Sequence, residues 1–343
     1  MRVAWEEMVK HEIKFDINAS KPHLRWQTPA STEGLAALNL LMRAGHEFPT
    51  TSNLTDDIYV AYPWATVIDM GAYDSARQHI NSLIEVENLR SFKRVHTVCQ
   101  HIYWPKIMQF IELLGVTDLH LSHATTDAAR DLGRLNISVH SFPLIPVAYV
   151  DEMLNIQRPK LKPLTSRDKL VTFVGAHMPH YRSGIRTELQ SVFKDLKRND
   201  VFFSLSDQWF FNDFVYRFQV RSAPPPEDCK ERLNAGKLGF RQMLENSKYS
   251  LCPEGAGPNT LRFWESLVAG AIPVIFKNDW VLPRTPRNFN WNDIVLSIDR
   301  KNITNTIALI NQHWEDKSRN ALELSRLISE ACDYYANLEV RPQ

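Results

Sequence analysis

Residues 247–283 read SKYSLCPEGAGPNTLRFWESLVAGAIPVIFKNDWVLP. Residues 248–253 are a short apolar run, and residues 254–259 form a loop broken by Gly and Pro. Residues 260–269 have helical spacing and stop at Gly270. Ile272–Phe276 is a second strand of the buried type. Strand, loop, helix and strand in this order make a βαβ unit. Its loop and helix N-terminus lie at the carboxyl end of a parallel strand, where open α/β sheets bind ligands. Arg262 and Glu265 are three apart and share one helix face, with Leu261, Trp264, Leu267 and Val268 on the apolar face. An ordinary buried βαβ unit with a surface Arg–Glu pair would show the same pattern.

The flanking sequence repeats the alternation. In the first half, residues 57–62, Arg94–Cys99, 118–122 and 137–142 read as strands, with helical spacing at 74–89, 105–114 and 127–132. Residues 151–168 are polar, carry two prolines and serve as the linker candidate. Beyond them, 169–174 and 201–205 read as strands, 184–196 and 231–246 as helices, and 302–337 as C-terminal helices. The expected fold class is therefore α/β, with two Rossmann-like domains facing across a cleft, residues 1–155 and 156–343.

Composition narrows the function classes. A chain of 343 residues suits two domains of ordinary size, and 44% hydrophobic with 23% charged residues is a globular composition. The net charge of +1, from 40 basic and 39 acidic side chains, argues against nucleic acid as a partner. No run of about 18 apolar residues predicts a membrane span. The N-terminal MRVAWEEMVKHEIKFD is charged and lacks a signal-peptide core. Cys99, Cys229, Cys252 and Cys332 are scattered, form no Cys-x-x-Cys, and suit a reducing compartment. Sequons at Asn18, Asn53, Asn136 and Asn302 weigh less than the missing signal peptide. The expected location is cytoplasmic, with peripheral membrane association left open, or lumenal if an N-terminal anchor has been removed.

Three stretches carry chemistry. In the opening segment, one cation and one carboxylate at a helix start suit a sugar nucleotide. Arg262 would meet a phosphate or support the 254–259 loop, and Glu265 would accept from ribose hydroxyls. Glu254, Gly255, Asn259 and Thr260 lie on that loop, with Gly255 allowing close backbone approach to the donor. In RDKLVTFVGAHMPHYRSGIRTEL, residues 167–189, a strand ends at Gly175 and a loop leads to a helix. Arg182 and Arg186 are four apart and can face one side of the helix start. A departing diphosphate needs such positive charge, and the planar guanidinium binds phosphate bidentately. A solvated basic helix start would look alike. The aromatic set Trp209, Phe210, Phe211, Phe214 and Tyr216 could stack on a sugar or pack as core. Asp-x-Asp, a zinc-type His pair and Gly-x-Gly-x-x-Gly are all missing, so no metal or dinucleotide cofactor is expected.

The wording of these stretches resembles the exostosin-like glycosyltransferases of family 47. The C-terminal signature is matched at Ser247, Lys248, Leu251, Pro253, Gly255, Arg262, Glu265, Gly270, Ile272, Pro273, Val274, Ile275, Leu282 and Pro283, with Ala271 in place of Cys and Thr260 in place of Ser. Gly175, Ile185, Arg186 and Leu189 match a second segment. GVTDLHLSH, residues 115–123, matches a third at Gly115, Asp118, Ser122 and His123, but Ala124 and Thr125 replace the usual Asp and Trp. The resemblance implies GT-B architecture. It also implies inverting, metal-independent transfer from a nucleotide sugar, most often a UDP-sugar, to a glycan hydroxyl. An inverting transfer needs a base for the acceptor hydroxyl. His123, His101 and Asp127 are the candidates. The alternatives are a GDP-fucose or CMP-sugar transferase of similar fold, or a non-catalytic nucleotide- or glycan-binding domain of a larger polymerase.

Overall fold

The computed structural model describes residues 57–60, 62, 64–86, 89–149, 156–208, 229–285 and 290–336. The expectations for the aromatic set at 209–216 and the first 56 residues lie outside them.

The chain forms two compact units. The first holds β1 (Asp57–Val60), α1 (Trp64–Met70), α2 (Tyr73–Val86), β2 (Arg94–Cys99), α3 (Met108–Leu114), β3 (Asp118–Leu121), α4 (Thr126–Gly133) and β4 (Ser138–Ser141). Its four strands are parallel in the order β1-β2-β3-β4, with Val60 opposite Thr97 and Leu119 opposite Thr97 and Val139. Alternation sends Val95, Cys99, Leu119 and Leu121 into one core with Ile80, Phe110, Ile111 and Leu114. Trp64, which the sequence reading left out of any helix, is fully buried in that core. Its Nε1 donates to Thr97 Oγ1 at 2.8 Å, and Thr97 Oγ1 donates to Val60 O at 2.7 Å.

Arg94, His96, Asp118, His120 and His140 are spaced two apart along their strands, so each strand sends them to one side of the sheet. Asp118 accepts from Arg94 Nε at 3.0 Å, Thr117 Oγ1 at 2.8 Å and His140 Nε2 at 2.8 Å. These donors hold its carboxyl well below the usual range, against the opposing effect of burial. His120 lies 3.2 Å from His96 Nδ1, and burial pushes its imidazole well below the usual value.

The second unit holds β5 (Lys169–Ala176), α5 (Ile185–Phe193), β6 (Val201–Ser206), α6 (Cys229–Glu245), β7 (Ser247–Leu251), α7 (Leu261–Val268), β8 (Ile272–Phe276), α8 (Trp291–Ile294), β9 (Leu296–Ile298), α9 (Thr306–Lys317) and α10 (Ala321–Ala336). The five strands are parallel in the order β6-β5-β7-β8-β9. Val171 faces Val201 on one side and Tyr249 on the other. Helix α7 packs against α10 and β8, and every residue from Arg262 to Val268 is buried. The Arg262–Glu265 face is thus interior rather than a solvated surface.

Composition sets the division at residues 155–156, whereas the compact units part at Phe142–Pro143. The reason is apolar packing ahead of the polar stretch. Ala148 and Tyr149 are buried with Leu244, Val268, Ala269 and Cys332 of the second unit. Val281–Pro283 belong in turn to the first unit. Val281 N donates to Ala124 O at 3.0 Å, and Val281 O accepts from Ser141 Oγ. Among the described residues no helix is long and apolar enough to cross a membrane.

Candidate functional site

In the second sheet the strand order reverses between β5 and β7. A doubly wound sheet opens a crevice at such a reversal, at the carboxyl ends of the two strands. The 177–184 loop follows β5 and the 252–260 loop follows β7, and both helices that leave them start there. Gly175, Arg182, Arg186, Glu254, Gly255, Asn259, Thr260 and Arg262 all come to this end of the sheet or to the first turn of a helix leaving it.

Arg186, in the first turn of α5, joins the two loops. Its Nε donates to Glu254 O at 2.9 Å, one terminal nitrogen to Ala176 O at 2.7 Å and the other to Pro253 O at 3.2 Å. The guanidinium also lies over the Tyr181 ring at 4.8 Å. Burial, followed by the charge of Arg262, pushes its pKa down to about 10, so it stays charged at neutral pH. Gly255 is required by this contact, since a Cβ there would sit 2.9 Å from an Arg186 terminal nitrogen.

Arg182 does not share the helix. Gly184 is the N-cap of α5, which leaves Arg182 in the loop. Its fork is closed on Asp279, with two bonds at 2.8 and 2.9 Å, and reaches Glu254 at 3.2 Å. Glu254 also accepts from Ser183 Oγ at 2.6 Å and Asn278 Nδ2 at 3.0 Å. Carboxylates and donors from the ends of β5, β7 and β8 therefore form one clasp. Asp279, Asn278 and Ser183 were not singled out from the sequence. The signal was available in FKNDW, since a polar run straight after a buried strand must lie at its carboxyl end.

Arg262 differs from both. Its guanidinium is buried and stacks over Phe173 at 4.5 Å and Phe240 at 5.5 Å. The terminal nitrogens lie so close to Gly175 that a Cβ there would meet them at 3.2 and 3.3 Å. Nε is buried without a hydrogen bond, and among the described residues the guanidinium has neither an acceptor nor an ion pair within 4 Å. Burial lowers its pKa, with Cys252, Glu265 and Tyr181 opposing. A buried cation with no hydrogen-bonded counter-charge costs several kcal/mol, and cation–π stacking returns only about 2 kcal/mol. The arrangement is suited to an anion at the carboxyl end of β5, beside Gly175.

Three of the remaining residues lie along the 252–260 loop and helix α7. Asn259 accepts from Trp264 Nε1 at 3.0 Å, and Thr260 is the N-cap of α7 without a side-chain capping bond. Glu265 lies one turn deeper, is 5% exposed, and accepts from Ala148 N at 3.0 Å.

The proposed bases lie in the first unit, past the carboxyl ends of β2 and β3. His123 is buried two residues beyond β3. His101 has both ring nitrogens engaged: Nε2 pairs with Asp69 at 3.1 Å, and Nδ1 accepts from Tyr103 N at 3.0 Å. It would have to release the Tyr103 amide before taking a proton. Asp127 sits in the first turn of α4, exposed and paired with Arg130 at 2.9 Å. Among the described residues no cluster of three His, Cys, Asp or Glu side chains could hold a metal ion.

Residues 122–313 match the family model of the exostosin GT47 domain, more than half of the chain. The chain belongs to the exostosin GT47 family. Exostosin-1 of Bos taurus is 29% identical over 103 residues, which cover 30% of this chain and 13% of that protein. A probable glucuronosyltransferase of Oryza sativa is 31% identical over 103 residues, 26% of this chain and 24% of that one. The exostosin match thus spans only a small part of these relatives' length. Among solved structures, the pneumococcal O-GlcNAc transferase GtfA with UDP and GlcNAc aligns at TM-score 0.32 and 10% identity, over 71% of this chain and 49% of that one. MurG of Acinetobacter baumannii aligns at TM-score 0.31 and 12% identity, over 76% and 75%. The described residues of this chain form two units, each built on a parallel sheet.

Proposed function

We propose that the chain transfers a sugar from a nucleotide-sugar donor to a glycan hydroxyl. The observation that carries this reading is the buried Arg262 guanidinium, whose Nε makes no hydrogen bond among the described residues, at the reversal point of the second sheet. Arg186 adds a second buried cation whose own bonds fix the two loops. Together they supply the charge that stabilises a departing diphosphate without reorganising at the moment of transfer. We infer a UDP-sugar as donor, because that is the donor most common in the resemblance, and an inverting, metal-independent transfer. His123 serves as the base in this account, since His101 is held at both nitrogens.

Thermal-shift measurements with UDP, GDP and CMP test the donor class. UDP is expected to raise the melting temperature most, and Arg262→Met is expected to abolish the shift. Turnover of sugar nucleotides then separates an enzyme from a silent binding domain. A chain that no nucleotide stabilises would overturn the proposal.

A further inference from the structure

His177 follows β5 directly, and its amide N donates to Ser206 O at 2.9 Å, so the β5–β6 ladder runs on through it. An extended chain alternates its side chains, which puts Phe173, Gly175 and His177 on one face. That face is the one Arg262 covers. Its guanidinium lies over the Phe173 ring at 4.5 Å, and a Cβ on Gly175 would meet its terminal nitrogens at 3.2 and 3.3 Å. His177 comes next in the row, about 7 Å further along the chain and past the carboxyl end of the strand. The imidazole is held but not satisfied. Tyr181 meets it edge-on, with ring centroids 5.8 Å apart at 89°, and Tyr181 is itself fixed by the Arg186 guanidinium at 4.8 Å. His177 Nδ1 is buried and makes no hydrogen bond among the described residues, and the same holds for Arg262 Nε. A buried nitrogen without a partner costs free energy that a ligand recovers. Two such nitrogens served from one strand face, one of them in a permanent cation, suit a single anion whose oxygens reach both side chains. We propose that His177 is a donor-binding residue, whose Nδ1–H donates to a phosphate oxygen of the diphosphate held by Arg262. This rests on the reading of the site as a diphosphate site.

Three substitutions separate this contact from a packing role. His177→Leu removes both ring nitrogens. His177→Asn keeps an N–H near the place of Nδ1, and His177→Gln keeps one near the place of Nε2. Calorimetric titration of inorganic pyrophosphate, UDP and uridine onto wild type and the three variants reads the contact. H177L is expected to weaken pyrophosphate and UDP by roughly tenfold or more, the loss of one hydrogen bond to a charged group, with uridine unchanged. H177N is expected to recover most of that loss, and H177Q to behave like H177L. Without ligand, H177L is expected to melt no lower than wild type, because it removes an unpaired buried nitrogen. A lower melting temperature with unchanged affinities would make the histidine structural and overturn the proposal. Recovery by H177Q in place of H177N would overturn it too, as would a loss of uridine binding equal to that of UDP. Wild type that binds neither pyrophosphate nor UDP overturns the diphosphate reading and this proposal with it. Wild type that binds both, with H177L unchanged, overturns this proposal alone. Should H177L not fold, the contrast between H177N and H177Q decides by itself, and equal affinities in that pair overturn the proposal.

Discussion

Arg262 offers the sharpest residue-level prediction, because size and charge can be separated there. Arg262→Met keeps an unbranched side chain over Phe173 and removes the cation. Truncating one partner of a buried charge pair weakens binding by about 2–5 kcal/mol, so nucleotide affinity should fall by that amount while the protein remains folded. Arg262→Lys should recover little, since an ammonium neither stacks on Phe173 like a planar guanidinium nor grips phosphate with a fork. Calorimetry and circular dichroism on the two variants check both statements. The stretches at residues 167–189 and 247–265 offered Arg186 and Arg262 as candidates for the phosphates, but they could not rank them. Both Arg186 and Arg182 turn out to be spent on protein acceptors, and that depends on carbonyls and carboxylates from three loops distant in sequence.

At the scale of elements, the site depends on loops gathered at the ends of β5, β7 and β8 (Ile272–Phe276). Gly255→Ala should push the Arg186 guanidinium off the Glu254 and Pro253 carbonyls, since the new Cβ would sit 2.9 Å from it. Donor KM should rise while far-UV circular dichroism stays unchanged. Asp279→Asn should open the clasp on Arg182. This pair is half-exposed, so stability measured by urea unfolding should change by no more than about 1 kcal/mol, with a modest rise in KM. Long periodic elements such as α5 and α6, and buried strands such as β7 and β8, were legible in the sequence. Helix α1 was not, because Trp64 is anchored by a hydrogen bond to Thr97, and local spacing does not reveal it. Strand β9 has three residues, too few to show alternation. Residues 143–149 read as a Pro-bearing tail of the first half, yet Ala148 and Tyr149 pack on the second core.

The whole molecule inherits a pH dependence from the polar side of the first sheet. The unfolded chain binds a proton at His120 as pH falls through about 6.5, while the folded chain resists it, so stability drops from there downward. Asp118, held low by Arg94, Thr117 and His140, adds a second loss as pH falls below its ordinary 3.8. Urea midpoints measured from about pH 8 to pH 5 should therefore decline, and His120→Phe should flatten the decline. None of this touches the proposed donor site, which lies at the reversal of strand order in the second sheet. A crystal structure of the chain with UDP tests the central claim most directly. The account predicts diphosphate oxygens within hydrogen-bonding distance of the Arg262 terminal nitrogens, beside Gly175. A diphosphate bound elsewhere, with Arg262 still stacked on Phe173 and lacking an acceptor, would contradict it.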